Sequence, residues 1–399
     1  MVSEKAGRVG ILPAGALGVS FFYHLTRQAR QIDGEVYFLE RAGSASAKAL
    51  RQRGEILIAG DEGLHPVPTA GILKPDLVAS YEENSLPDVL LICPNPDQLT
   101  GAMGNLVELL ERIHHKGRLN AAGLPFPLVV LCSNGIYYQR LRLWFVEKLE
   151  ESVLFGRLPE LWPDLMGVIV GRLLRGVTLQ SGIREGSGGA TVYRPGPRAI
   201  THVAGGNEAI RQRCCEILQE HGGWFEQTVN GSATRLEFDK AMLNLAANTL
   251  GQLYAIDDRG RLATLAIRDM IGPEHQAAIR ELFRHVFQIG LAVKAYGSED
   301  CFEDIYAQRM ESLRLHERHI PSSLQWVDLK CRLGTLEPEL SPTEAWLLEP
   351  LIRFARGVGL EESAHYFEDL KEKLLYKLQL AAKACRNRDD QTAGQYRVI

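Results

Sequence analysis

Three residues on one predicted helix have the types and spacing to do chemistry together. Lys240, Asn244 and Asn248 stand at i, i+4 and i+8, so they share one face and drift about 40° at each step. Met242, Leu243, Leu245, Ala246 and Ala247 lie between them, which predicts that both flanks are buried. An ammonium and two amides on a buried stripe are costly unless something bonds to them. A small molecule with a carbonyl and a carboxylate would do so. The ammonium would polarise the carbonyl oxygen and protonate it while hydride arrives at carbon. Burial would lower the lysine pKa toward a useful general-acid range. The competing reading is a lysine reaching to solvent along its stem and two asparagines capping neighbouring elements. The spacing alone leaves both open.

A second candidate lies near the N-terminus. Leu12-Pro13-Ala14-Gly15-Ala16-Leu17-Gly18 follows a short apolar strand and opens a helix. In the dinucleotide fingerprint Gly-x-Gly-x-x-Gly the glycines would fall at 13, 15 and 18. Gly15 lets backbone approach a pyrophosphate, Gly18 lets the helix pack on the sheet, and the helix start supplies N–H donors. Pro13 replaces the first glycine and constrains the turn. The next strand ends in Leu39-Glu40-Arg41. Glu40 stands where an acidic residue would hold the ribose of NAD, and Arg41 could fork onto the 2′-phosphate of NADP. Which of the two faces a ligand stays open, as does a solvated pair at a strand end.

The elements that must position these residues follow from periodicity. Strand signals at Arg8–Leu12, Glu35–Leu39, Glu55–Ala59, Asp88–Cys93 and Pro127–Cys132 alternate with helices at Ala16–Gln31, Ala45–Arg53 and Gln98–His115. That order predicts βαβ units on a parallel sheet with right-handed crossovers. From Gly176 to Gly206 the chain turns rich in Gly, Thr, Val and Pro, and Ala190–Tyr193 and Ile200–Val203 read as antiparallel strands extending the sheet. A helix at Asn207–His221 and a last strand at Trp224–Thr228 follow. Beyond Ser232 the signal is helical: Lys240–Leu253, Pro273–Ala295, Asp304–Leu315, Ala345–Val358 and Ala364–Arg386, with a frayed polar tail. The predicted domains are therefore 1–231, α/β, and 232–399, all-α.

Composition excludes other classes. The 399 residues suggest two or three domains at about 150 each. The net charge of −4 gives no general pull toward nucleic acid or an anionic membrane. No run is long enough to cross a bilayer. Lys5 and Arg8 before Val9–Leu25 loosely mimic a signal peptide, but Pro13, Gly15, Gly18, His24 and Arg27 favour folded structure. Seven cysteines, without Cys-x-x-Cys spacing, argue against a disulfide framework and a zinc site, and favour a cytoplasmic location. Cys93 and Cys132 read as buried hydrophobes. No clustered set of metal ligands stands out. His114 and His115 read as surface residues, His316 and His319 near Ser322 as surface residues with a place lining the cleft as the alternative, and Trp326 and Trp346 as core or interface anchors.

These pieces occur in the order of the ketopantoate reductase (2-dehydropantoate 2-reductase) family, which the chain resembles as a long, divergent sequence. Gly15-Ala16-Leu17-Gly18 resembles the family's Gly-x-Gly-Ala-Leu-Gly, and Arg41 stands at its usual phosphate-binding Arg. Ser133-Asn134-Gly135 matches its Asn-Gly. Lys240, Asn244 and Asn248 match its Lys-x-x-x-Asn-x-x-x-Asn helix, and Ser322-Ser323-Leu324-Gln325 resembles its Ser-Ser-Met-Leu-Gln. Thr343-Glu344, followed by a helix and Gly359-Leu360, resembles its Thr-Glu and later Gly-Ile.

The resemblance implies a Rossmann-type α/β domain with an extended, mostly parallel sheet. It implies an all-α C-terminal domain like that of 6-phosphogluconate dehydrogenase. It also implies NAD(P)H-dependent reduction of a small 2-oxo acid, ketopantoate to pantoate, in pantothenate biosynthesis. The implied cofactor is NADP, with NAD open, and the assembly is open to a homodimer. The residues carried over for the cofactor are Pro13, Ala14, Gly15, Ala16, Leu17, Gly18, Arg41, Asn95 and Asn134. Those for substrate are Asn134, Asn244, Asn248 and Ser323. Lys240 is the implied general acid and Glu344 the active-site carboxylate, with Glu337 and Glu339 as rivals. The site is expected in the crevice between the two halves, beyond the carboxyl ends of the strands.

Three departures bear on the substrate: Pro13, Asn95 where the family has a lysine, and extra length around Glu150–Gly167 and Thr335–Pro342. An opine-type or other 2-hydroxy-acid dehydrogenase, and a non-catalytic NAD(P)-binding protein, are the rival functions.

Overall fold

The computed structural model describes residues 7–28, 35–40, 44–119, 123–152, 164–186, 191–222, 224–228 and 232–395. They fall into two compact units, Met1–Ala233 and Thr234–Ile399.

The first unit is built on strands that are apolar on both faces. β1 (Val9–Leu12), β2 (Val36–Leu39) and β6 (Val89–Ile92) are buried throughout. β7 (Leu128–Leu131) is buried except for its half-buried first residue. Such runs suit the interior of a parallel sheet covered on both sides. β3 (Glu55–Gly60) and β4 (Gly63–Pro68) form a hairpin, β5 is Leu73–Lys74, and β8 is Leu173–Thr178. β9 (Gly182–Glu185), β10 (Val192–Pro195), β11 (Thr201–Ala204) and β12 (Phe225–Gln227) complete the set.

The main sheet has the order β12-β11-β8-β7-β6-β1-β2-β5. It is parallel from β5 to β8, with β11 antiparallel to β8 and β12 parallel to β11. The order reverses between β1 and β6. Open α/β sheets bind ligands outside the carboxyl ends of their strands at such a reversal.

One expectation about this sheet is corrected. β3 and β10 leave the main sheet and form a second one, ordered β4-β3-β10-β9. β3 alternates, with Ile56 and Ile58 buried and their neighbours half-exposed, so it has one buried face and fits a smaller sheet. The short β5, which the sequence pattern does not announce, pairs with β2 at the edge of the main sheet. The helix Ala16–Gln28 packs Phe21 against Trp224 and Phe225, with ring centroids 5.3 and 5.8 Å apart.

The second unit is helical. Ala233–Asn244 runs into a π-helical stretch, Leu245–Leu250, and then into Gly251–Ala255. Further helices span Ile267–Met270, Gln276–Ala292, Phe302–Leu315, Ser322–Arg332, Pro342–Gly357 and Glu361–Gln395. The last continues past Arg386, where the sequence predicts fraying. Arg235 grips both oxygens of Asp300 at 2.7 Å and anchors the first helix. Val327, Leu374 and Leu378 form a core with Ile256, which follows the Gly251–Ala255 helix.

Cys331 and Cys385 are joined in a disulfide, with Cα atoms 5.5 Å apart, linking Ser322–Arg332 to the last helix. Cysteine count and spacing pointed away from such pairing. The two helices meet through their apolar faces, a register that linear spacing does not reveal. Cys93 and Cys132 are buried free thiols, as expected. Among the described residues no helix is long and apolar enough to cross a membrane.

Candidate active site

The turn after β1 is held by both backbone and side chain. Ala14 N–H donates to Glu40 Oε1 at 2.8 Å, and Ser44 Oγ donates to Glu40 Oε2 at 3.3 Å. Glu40 is buried, and burial, opposed by these donors, raises its pKa. Of the two residues left open at this strand end, Glu40 faces the glycine turn; Arg41 lies outside the described residues. Pro13, in the place of a first glycine, follows a cis peptide bond.

The two remaining glycines have different causes. A Cβ on Gly18 would stand 2.2 Å from Pro13 O and 3.1 Å from Ile11 Cγ2, so the fold itself requires glycine there. A Cβ on Gly15 would meet only Pro13 Cγ, at 3.8 Å. Among the described residues nothing demands that glycine. The space above it suits a group brought in from outside, beside the unbonded N–H groups of a helix start. Ala16 and Leu17, half-buried, form the first turn of that helix.

The neighbouring strand ends complete this rim. Cys93 N–H bonds Leu12 O at 2.7 Å, and Cys132 N–H bonds Ile92 O at 2.8 Å, so β1, β6 and β7 end side by side. Asn95 is exposed just beyond β6. Asn134, half-buried, follows Ser133, whose hydroxyl donates to Pro94 O at 2.6 Å. Gly135 takes φ 120°, which favours glycine. Arg175, fully buried on β8, donates to Leu131 O at 2.7 Å and Gly135 O at 3.3 Å, and its guanidinium lies 4.6 Å from the Tyr137 ring centroid. It thereby ties both ends of the Asn134 loop, a role its position in an ordinary strand pattern does not signal.

In the helical unit, Asn244 and Asn248 are buried and Lys240 is half-buried. An α-helix would carry Asn248 onward by about 40° from Asn244. The π-helical stretch has more residues per turn, so the same four-residue step falls short of a turn instead of overshooting it. Such stretches occur often at functional sites. Asn248 Oδ1 accepts from Ser323 Oγ at 2.9 Å. Asn244 Nδ2 is buried and has no hydrogen-bond partner among the described residues. A buried amide left open in this way points to an acceptor supplied by a ligand.

Glu344 is also buried, 2% exposed. Ser341 Oγ caps its helix by accepting from Glu344 N at 3.4 Å. The Glu344 carboxyl turns inward, where Oε1 accepts from Gln252 Nε2 at 3.3 Å. Burial pushes its pKa up to about 7, against its own backbone N–H and the Gln252 amide. Glu337 and Glu339 are exposed.

Gln252, 2% exposed, was missed by the sequence reading. Its signal is the four-residue spacing from Lys240 through Asn244 and Asn248, continued one step. His316 and His319 are at the surface, as read, but burial and the charge of Lys240 lower both pKa values, with His316 also acting on His319. Both imidazoles are thereby favoured in their neutral form beside the Lys240 charge. Among the described residues no group of three or more metal-ligating side chains occurs.

No protein-family model and no curated protein sequence matches the chain. Solved structures do. A ternary complex of D-mandelate dehydrogenase with NADH and anilino(oxo)acetate matches with a TM-score of 0.63 at 13% identity, over 93% of this chain and 98% of that one. A ketopantoate reductase from Ralstonia eutropha JMP134 matches with a TM-score of 0.57 at 16% identity, over 93% and 99%. The 2-dehydropantoate 2-reductase of Geobacter metallireducens GS-15 matches with a TM-score of 0.57 at 16% identity, over 92% and 98%. The α/β unit and the helical unit together thus reproduce, along nearly the whole chain and at a divergent sequence, the fold of the ketopantoate reductases.

Proposed function

We propose that this chain is an NAD(P)H-dependent reductase of small 2-oxo acids, with ketopantoate, reduced to pantoate, as first substrate. The observation that carries the reading is the open, buried Nδ2 of Asn244 on the helix of Lys240, beside the polar chain formed by Ser323, Asn248, Gln252 and Glu344.

The space above Gly15 and the N–H groups at the start of the Ala16–Gln28 helix fit a pyrophosphate. Arg41 is the proposed partner of an NADP 2′-phosphate, and Asn95 and Asn134 of the nicotinamide half. When bound, the cofactor supplies the hydride. Lys240 Nζ donates a proton to the carbonyl oxygen as that oxygen becomes a hydroxyl, and regains one from water. Asn244 Nδ2 and the Asn248–Ser323 pair bind the substrate carboxylate and hydroxyl groups, with Glu344 as a further acceptor. Holding the carbonyl in place is itself a large share of the catalysis.

A second reading keeps this chemistry and changes the substrate to a bulkier 2-oxo acid. Asn95 in place of the family's lysine favours it, as does the likeness to a dehydrogenase solved with anilino(oxo)acetate. Fluorescence titration with NADPH and NADH, followed by absorbance of the reduced nicotinamide with a panel of 2-oxo acids, tests both. Saturable binding with oxidation by ketopantoate supports the first, and oxidation only by aromatic 2-oxo acids the second. Binding without turnover on any acid contradicts both.

A further inference from the structure

We propose that Gln252 is a positioning residue of the candidate site, whose amide ties the Glu344 carboxyl to the Asn248 turn so that carboxyl, Asn248 and Ser323 meet the substrate as one fixed array. The proposal rests on the reductase reading above and adds to it a residue outside the Lys–Asn–Asn pattern.

The amide orientation follows from its partners. Gln252 Nε2 reaches the backbone oxygen of Asn248 at 3.1 Å, and a carbonyl oxygen only accepts, so the nitrogen must lie on that side. The same nitrogen reaches Glu344 Oε1 at 3.3 Å. Both of its hydrogens are therefore directed, one to the helix backbone and one to the carboxyl.

The arrangement falls at the end of the π-helical stretch. Asn248 O accepts from Gly251 N–H at the end of the stretch and from the Gln252 side chain as well. The Asn248 side chain meanwhile binds Ser323. One residue thus joins the Ser322–Arg332 helix through its side chain and Pro342–Gly357 through its carbonyl and Gln252.

Glu344 has a competing local fate. Ser341-Pro342-Thr343-Glu344 is a capping-box sequence, in which the glutamate would turn back to the backbone N–H of Ser341. Instead it meets Gln252. What acts on its titration is burial, then its own backbone N–H and Gln252; among the described residues no charged side chain contributes. Gln252 is therefore the side chain that favours the ionised form, and its removal should leave the carboxyl protonated to higher pH.

The test uses the full chain with Gln252→Met, which removes the donor, and Gln252→Asn, which is one methylene too short to reach. Infrared titration of the Glu344 carboxyl, with Glu344→Gln as the spectral blank, needs no substrate. The expected result in either folded variant is a midpoint raised by about one pH unit, the scale of one hydrogen bond to a charged group. The acid limb of kcat/KM should move equally, with NADPH affinity unchanged. An unmoved midpoint in a folded variant overturns the assignment of Gln252, whatever the activity. A raised midpoint in a chain that reduces no 2-oxo acid overturns the reductase reading and upholds the link between Gln252 and Glu344.

Discussion

The glycine turn of the first unit and the lysine helix of the second solve different problems with different materials. The turn is made of backbone: Gly18 is glycine because Pro13 O leaves no room for a Cβ, and Ala14 N–H is fixed by Glu40. The helix face is made of side chains: Asn248 and Gln252 are buried and bonded to partners more than 70 residues away, and the Asn244 Nδ2 has no partner among the described residues. On the proposed function, the backbone site would take a phosphate and the side-chain site one arrangement of carbonyl, carboxylate and hydroxyl. Cofactor and substrate recognition should therefore respond separately to mutation.

The sharpest break in the comparison comes from the two glycines. Gly18→Ala places a methyl against a backbone oxygen, and strain of about 3 kcal/mol should appear as a lower Tm together with lost NADPH binding. Gly15→Ala meets only Pro13 Cγ at 3.8 Å. Its stability should change by less than about 0.5 kcal/mol while NADPH affinity falls about tenfold or more. Equal losses of stability in both variants would show that Gly15 serves the fold and not a ligand.

The side-chain region should show itself in pH dependence. The folded pKa of Glu344, about 7, is raised above its ordinary value of 4.5. Its contribution to stability is therefore fully present below the unfolded pKa and is lost as pH rises through the folded one. Relative to Glu344→Gln, the parent should lose up to about 3 kcal/mol between pH ~4.5 and pH ~7. Urea denaturation at a series of pH values measures this; a flat difference would contradict a buried, proton-holding carboxyl.

A smaller effect isolates the Asn248 pair. Ser323→Ala removes the donor to Asn248 Oδ1. It should cost about 1.5 kcal/mol, or about tenfold in kcat/KM for the 2-oxo acid, with no change in NADPH affinity. Parallel losses in substrate and cofactor affinity would merge the two regions that the comparison separates.

Much of this was legible in the sequence because local physics dominated. Val-Leu-Leu-Ile at β6 and Val-Gly-Ile-Leu at β1, short and bounded by turn residues, read as interior strands, and the four-residue spacing at Lys240 makes a face. The parts that were not legible depend on distant partners. The two-residue β5 lacks a periodicity of its own, and β3 and β10 are recognisable as strands but not as members of a second sheet. The Cys331–Cys385 bond depends on how two helices meet. Gln252 escaped because the Lys–Asn–Asn pattern ends at Asn248, and only a third helix carrying Glu344 reveals its use.

The central claim is that Lys240 delivers the proton in a nicotinamide-dependent reduction. Single-turnover absorbance on NADPH-loaded protein mixed with its best 2-oxo acid, parent against Lys240→Ala, tests it most directly. The account predicts a rate lowered by about a thousandfold, within the range for loss of a general acid, with NADPH affinity within about twofold of the parent. An unchanged rate of nicotinamide oxidation in Lys240→Ala would contradict it.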